Sequence, residues 1–291
     1  MVSSFLDNNA KKTDIFLKKY LNHQNNSELM SAMKYGSLSG GKKIRSSIII
    51  GAGKIFNIKL SKLLNLCGAV ECIHSYSLIH DDLPCMDNDK MRRGKLATHV
   101  KFGESTAILA GNSLLTLAFE MIVNKNYKIE NNAKVELIKT LALYAGHSGI
   151  AGGQYLDLSF EKKKKKFSDI LDMQRKKTGK LFNFCVFAPG VIAKKKIGEL
   201  KSLSKLGEDI GLLFQFADDF IDLKGSKKLA GKSIKKDKKK GKSTLISLMG
   251  YKKAHTYASQ LKKKILSKLK KHGKKANDLI NTVDFILERN F

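Results

Sequence analysis

Apolar positions recur along this chain at helical spacing. Between Ser61 and His80 a stripe of Leu63, Leu64, Cys67, Val70, Glu71, His74 and Leu78 runs near 3.6-residue intervals, with no proline to interrupt it, the mark of a helix facing a core. Mostly apolar helices are predicted in the same way over Thr106–Val123, Val135–Ala145, Phe182–Ala193, Leu203–Asp222 and Ala276–Leu287. Strand alternation between tight turns is nearly absent. No Asn-Gly or Asp-Gly dipeptide occurs, and these are the strongest short hairpin signals. The pattern is all-α. Punctuation is expected at Gly40-Gly41, Pro84, Gly94, Gly152-Gly153 and from Gly225 to Gly241, the last inside a stretch with ten lysines. Lys162–Lys166 reads as a second exposed connection. Neither reads as a domain linker, because the apolar helices on both sides are needed to complete one bundle. Residues 1–291 are therefore expected to form a single all-helical domain.

Composition narrows the class. Of 291 residues, 42% are hydrophobic, enough for a substantial core and against disorder over the whole length. Two prolines and four cysteines (Cys67, Cys72, Cys85 and Cys185, none in Cys-x-x-Cys spacing) exclude collagen-like, disulfide-scaffold and zinc-ribbon classes. Fifty-five basic residues face 26 acidic ones, a net charge of +29, and such a field favours anionic partners. Only Arg45, Arg92, Arg93, Arg175 and Arg289 are arginine; a general lysine excess on solvated faces needs no partner to explain it. No apolar run is expected to reach the roughly 18–20 residues of a membrane span, and Met1–Ala10 lacks a charged-then-apolar leader pattern. A cytoplasmic location is expected.

Two acidic clusters stand out. The first is His80-Asp81-Asp82-Leu83-Pro84-Cys85-Met86-Asp87-Asn88-Asp89, the second Phe214-Gln215-Phe216-Ala217-Asp218-Asp219-Phe220-Ile221-Asp222. Each closes an apolar helix at its C-terminal end, where carboxylates oppose the macrodipole at about 0.3–1 kcal/mol each. Such positions call for a cation. Asp218 and Asp222 differ by about 40° around a helix and share a face, suited to Mg²⁺, which accepts one or two carboxylates plus phosphate oxygens and water. Asp81 and Asp87 would lie about 240° apart on a straight helix. Pro84 supplies the break that lets Asp87 return toward Asp81. The distance between the clusters along the chain suggests a site built between helices.

Basic groups answer the acids. Gly40-Gly41-Lys42-Lys43-Ile44-Arg45 offers a glycine turn before a helix start, where anions bind, with Lys42 and Arg45 expected on one helix face. Arg92 and Arg93 follow the first acids, and guanidinium forks suit phosphate oxygens. His74, seven residues before Asp81, shares its helical face. Lys177-Thr178, Lys232 and Lys242-Ser243-Thr244 add donors. Two anions beside a greasy interior imply the joining of two phosphorylated apolar molecules. No Ser/His/Asp or Cys/His nucleophile arrangement and no P-loop is present.

Taken together, GGKKIR, ECIHSYSLIHDDLPCMDNDKMRRG, THVKFGE, AGGQYLDL, KKTGKL, FQFADDFID and GKST resemble the bacterial-type trans-prenyl diphosphate synthases, closest to the farnesyl type, over nearly the whole chain. The resemblance implies a large helical bundle around a central cavity, the isoprenoid synthase fold. It implies that Asp81, Asp87 and Asp218, supported by Asp82, Asp219 and Asp222, bind Mg²⁺, about three ions per site in that family, with Mn²⁺ as a substitute. Arg92, Lys177, Lys232 and Lys242 would hold the allylic diphosphate (dimethylallyl or geranyl), and Lys42, Arg45, His74 and Arg93 the isopentenyl diphosphate. Lys177, Thr178 and Gln215 would stabilise the allylic cation, and Gln154 and Asp157 would line the site. Tyr76 and Ser77, with the extra Pro84-Cys85, resemble the determinants of a fifteen-carbon product; ten or twenty carbons are the alternatives. The family's habit is a homodimer. The sequence departs from the family pattern at Ser46 and Ile246, where prolines are common, at Asn88 and Lys90, where acids are common, and at Lys235, where glycine is usual.

The expected reaction is 1′-4 head-to-tail prenyl transfer, in which the released diphosphate is the family's base for the final proton. A terpene cyclase would need no second diphosphate site, against Lys42, Arg45 and Arg93. An inactive partner subunit would not keep both aspartate motifs. A basic nucleic-acid-binding protein would interleave aromatics with its lysines or carry a recognised motif, and no nucleic-acid partner is expected.

Overall fold

The computed structural model describes residues 2–24, 26–161, 163–224 and 244–288. The chain is all-α there, with one two-residue-per-strand hairpin as its only strands among the described residues. Its helices gather into two compact units, Met1–Lys139 with Ala188–Lys194, and Thr140–Phe187 with Lys195–Phe291.

The first unit is built on α4 (Leu60–Asp81), against which α1 (Val2–Asn22), α2 (Glu28–Ser37), α3 (Ile44–Ile55) and α6 (Glu104–Val123) all pack. From Leu66 to Ile73 every residue of α4 is buried, which is what a helix enclosed on all sides requires. Its main partner, α6, offers the small residues Ala107, Ala110, Gly111 and Ala118 beside Leu114 and Leu117, so the two backbones approach closely. Ser27 caps α2, its hydroxyl accepting from the Met30 N–H at 3.0 Å. The strands β1 (Met91–Arg92) and β2 (Lys95–Leu96) precede α5 (Thr98–Phe102), and α7 (Asn131–Ala145) begins in this unit.

The second unit holds α8 (Ile150–Ser159), α9 (Phe167–Gln174), a π-turn (Arg175–Gly179), the start of α10 (Lys180–Ile192), the long α11 (Ile197–Lys224), α12 (Leu245–Met249), α13 (Tyr251–Lys270), a 3₁₀ turn (Gly273–Ala276) and α14 (Asn277–Glu288). The π-turn, α13 and α14 pack on α11, around Phe182, Ile210, Leu213, Phe216, Ile265, Leu269 and Val283, all within 0% exposure.

Three expectations need correction. Gly152-Gly153 does not interrupt a helix but lies inside α8. The Cβ of a larger residue at 153 would come within 2.2 Å of the Lys177 backbone nitrogen, so this glycine serves a close helix approach. The hairpin was not expected, because its turn is Arg93-Gly94, with φ of 53° and 75°. Both residues adopt the left-handed region a two-residue hairpin needs, without the usual Asn-Gly. Finally, α6 is long and apolar enough to cross a membrane by length and composition, contrary to the expected lack of such a run. Its buried face against α4 accounts for the composition. The segment from Gly225 to Gly241, with Lys232 and Lys235, and the following Lys242-Ser243, lie outside the described residues.

The packing of α6 is tested by two leucines. Leu114→Ala, at a position with 0% exposure, should cost about 2–5 kcal/mol. Leu143→Ala, at 53% exposure on α7, should change stability by less than about 0.5 kcal/mol. Urea denaturation of both variants reads the difference; equal effects would contradict the packing.

Candidate active site

The first acidic cluster is shaped by the end of α4. The helix stops at Asp81, with Asp82 as its cap. Pro84 lies two residues on, and the residue before a proline avoids helical geometry. The chain then doubles back. The Asp87 N–H donates to the Asp81 carbonyl at 2.8 Å and the Asp89 N–H to the Asp82 carbonyl at 3.0 Å, with Asn88 at a φ of 51°. Asp87 thus returns beside Asp81, as the break at Pro84 predicts.

The hairpin then sends two neighbouring arginines to different places. Arg92 Nε donates to the two carboxylate oxygens of Asp82 at 3.1 and 3.2 Å, and Arg92 also lies 3.7 Å from Asp89. Burial works against the Arg92 charge, but the hydrogen bond and charge of Asp82, with Asp81 and Asp87 behind it, outweigh burial and raise the guanidinium above its ordinary pKa. Asp82 itself is 2% exposed, so in this geometry it anchors Arg92. Arg93 instead donates from Nη1 to the Gly40 carbonyl. Gly40 and Gly41 adopt φ of 83° and 98°, and a Cβ on Gly41 would meet Arg93 Nη1 at 2.8 Å. Only glycine permits both the turn and the overlying arginine.

Around that turn the other predicted cations gather. Lys42 pairs with Asp7 of α1 at 2.8 Å. It does not share a helix face with Arg45, because Lys43 takes a left-handed conformation (φ 44°, ψ 51°) and α3 begins only at Ile44. His74 projects from α4 into this cluster: its pKa is held well below the ordinary value by burial first, then by the charges of Arg45, Arg93, Lys43 and Arg92. The imidazole is therefore neutral at pH 7 and not a cation. One turn before the acids, Tyr76 is 8% exposed, its ring edge-on to His80 at 5.7 Å. Burial, then the charge of Asp81, pushes its hydroxyl up to about 12. Ser77 spends its hydroxyl on the His74 carbonyl at 2.9 Å.

In the second unit the predicted residues also meet one another. Lys177 and Thr178 sit in the π-turn, a local widening that often marks functional positions. Lys177 Nζ pairs with Asp157 of α8 at 2.9 Å. Thr178 donates to Gln215 Oε1 at 3.3 Å, and Gln215 Nε2 donates to Asp219 at 3.0 Å. This relay orients the Gln215 amide. Asp219 is 4% exposed, Gln154 7%, and Asp218 and Asp222 are more open along the same helix. The π-turn itself carries no signal in the apolar periodicity, since it depends on α8 and α11 packing around it.

Among the described residues no group of three or more His, Cys, Asp or Glu side chains could hold a metal by itself. Paired carboxylates that leave positions for phosphate oxygens and water are a donor set that fits Mg²⁺, and the returning Asp87 beside Asp81 supplies such a pair.

An all-helical protein with acids at helix ends and guanidinium groups beside them is built to handle polyanions. A polyprenyl synthetase family model matches residues 26–283, through both units. Farnesyl diphosphate synthase of Escherichia coli (strain K12) is 38% identical over 270 residues, covering 91% of this chain and 90% of that protein. Among solved structures, the apo FPP/GFPP synthase of Zymomonas mobilis is 33% identical, covers 98% of each chain and superposes with a TM-score of 0.88. The geranyltransferase of Helicobacter pylori, complexed with magnesium and isoprenyl diphosphate, is 32% identical over 99% of this chain and 96% of its own, with a TM-score of 0.82. The chain belongs to the polyprenyl synthetase family, has the isoprenoid synthase fold, and is a prenyltransferase.

The state of His74 has a consequence for stability. Its folded pKa lies below the unfolded value of about 6.5, so as pH falls through that value the unfolded chain takes up a proton that the folded chain refuses. Stability is lost toward acid pH. His74→Asn should lose less stability between pH 7 and pH 5 than the parent protein, read from urea midpoints; an equal loss would show that His74 is not held neutral.

Proposed function

We propose that this protein condenses isopentenyl diphosphate with dimethylallyl or geranyl diphosphate, by 1′-4 head-to-tail transfer, and releases farnesyl diphosphate as its main product. The observation that carries the reading is the hairpin at Arg92-Arg93. One turn ties Arg92 to the acids that end α4 and Arg93 to the glycine turn before α3, so adjacent guanidinium groups serve two separate anion positions. Arg92 with Lys177, joined by Lys232 and Lys242, binds the allylic diphosphate. Lys42, Arg45, His74 and Arg93 bind isopentenyl diphosphate without metal, the neutral His74 donating to a phosphate oxygen.

Asp81 and Asp87, and Asp218 supported by Asp82, Asp219 and Asp222, would hold about three Mg²⁺ ions, replaceable by Mn²⁺; such ions would supply Lewis acidity to the departing diphosphate. The oxygens of Thr178 and Gln215 face the positive charge that develops on the allylic carbon; fixed dipoles of this kind stabilise most where water is excluded. Lys177, neutralised by Asp157 until substrate arrives, pairs with the leaving diphosphate. Gln154 lines the site beside it. The described side chains offer no group poised as a base, and the released diphosphate takes the final proton. Tyr76, buried one turn before the acids, stops chain growth at fifteen carbons, with Ser77 on the neighbouring face. A cytoplasmic homodimer is the proposed working form; exposed Ile108, Leu109 and Val123 along α6 give an apolar surface for a second copy.

Purified protein given Mg²⁺, labelled isopentenyl diphosphate and each allylic primer in turn should form a fifteen-carbon diphosphate. Absence of any prenyl product with every primer would overturn the reading. Tyr76→Ala should shift the product toward twenty carbons or more, detected by chromatography of the dephosphorylated alcohols; an unchanged product spectrum would remove Tyr76 from the role.

A further inference from the structure

Beneath the Lys42, Arg45, His74 and Arg93 cluster lies an ion network to which none of the roles proposed above is assigned. Lys43 lies between Lys42 and Arg45, both assigned to substrate, yet its own side chain is 2% exposed and points inward. Its ammonium donates to the Ser37 carbonyl at the end of α2, 2.8 Å away, and lies 3.5 Å from Asp14 of α1 and 3.6 Å from Glu71 of α4. One hydrogen bond and two ion pairs thus surround the buried ammonium. Glu71, 3% exposed in its side chain, gives its other oxygen to the Ser46 hydroxyl at 2.8 Å, in the first turn of α3. A single buried lysine therefore ties together α1, α2, α3 and α4.

The backbone shows what this connection does. Lys43 occupies the left-handed region, with φ of 44° and ψ of 51°. A non-glycine residue persists there only when its surroundings over-determine it. The strained residue stands between the Gly40-Gly41 turn that carries Arg93 and the helix that carries Arg45. His74 lies one turn beyond Glu71 on α4. The same carboxylate that anchors Lys43 thus stands under His74, and the same residue that is anchored sets the direction of Lys42 and Arg45.

We infer that Lys43, held by Glu71 and Asp14, is a positioning residue for the isopentenyl diphosphate site: it does not touch substrate but fixes the loop and helix start from which Lys42 and Arg45 reach it and against which Arg93 is held. The inference rests on the proposed function, which assigns that cluster to isopentenyl diphosphate. A lysine that only stabilised the fold would affect both substrates alike. A positioning lysine would affect one.

The test measures the full-length protein in steady state, varying each substrate, and binding of isopentenyl diphosphate alone by calorimetry without metal. Lys43→Met should raise the KM and Kd for isopentenyl diphosphate about tenfold or more, because misplacing binding groups by an ångström is costly. The KM for the allylic primer and kcat should stay within about twofold, the pattern of lost ground-state binding. Lys43→Arg, which keeps the charge, should recover most of the affinity. Glu71→Gln, nearly isosteric, should show the same one-sided rise, and it decides the matter if Lys43→Met does not fold. Equal rises for both substrates, or no rise, with an active parent protein would overturn the inference. A parent protein that neither binds isopentenyl diphosphate nor transfers prenyl groups would instead overturn the functional reading.

Discussion

The burial of Asp82 against Arg92 is the interaction on which the first unit's chemistry depends. A carboxylate at 2% exposure at a helix C-terminus faces both desolvation and an opposing dipole. Arg92 answers both, with two contacts from Nε at 3.1 and 3.2 Å. To reach Asp82, the chain after α4 must close on itself, and it does so through the Asp87-to-Asp81 and Asp89-to-Asp82 backbone hydrogen bonds. The same closure sets Asp87 beside Asp81 and starts the hairpin that turns Arg93 the opposite way. Neutralising one buried acid therefore arranges a pair of acids and a second arginine.

Charge is managed in layers. Cations that would repel one another are each given an acidic partner: Lys42 has Asp7, Lys177 has Asp157, and Lys43 has Glu71 and Asp14. His74 is kept neutral by burial and its cationic neighbours, and the Gln215 amide is oriented by the Thr178–Gln215–Asp219 relay. Under the proposed function, such preorganisation would let a polyanion be held with little rearrangement.

Much of the helical framework was legible in the sequence. The helices expected over Ser61–His80 and Thr106–Val123 appear as Leu60–Asp81 and Glu104–Val123, because long apolar stripes leave few alternatives. Others escaped notice for physical reasons. The apolar stripe of α13, Ala254, Ala258, Leu261, Ile265 and Leu269, is narrow and set among lysines, so its periodicity is diluted. Gly152-Gly153 looked like a break, since a glycine pair lowers helix propensity, but the approach of α8 to the π-turn needs the missing side chain.

The candidate site divides in the same way. Sequence alone determined that two acidic clusters end apolar helices, that Pro84 breaks the first, and that arginine is rationed to a few places, because these properties reside in neighbouring residues. Only tertiary structure decided that Arg93 caps the Gly40 carbonyl fifty-three positions away, that Lys42 and Arg45 do not share a helix face, and that Lys43 turns inward to Glu71. Those outcomes depend on helices distant in sequence coming together. Local spacing records which side chains are available; it does not record which buried charge each of them must satisfy.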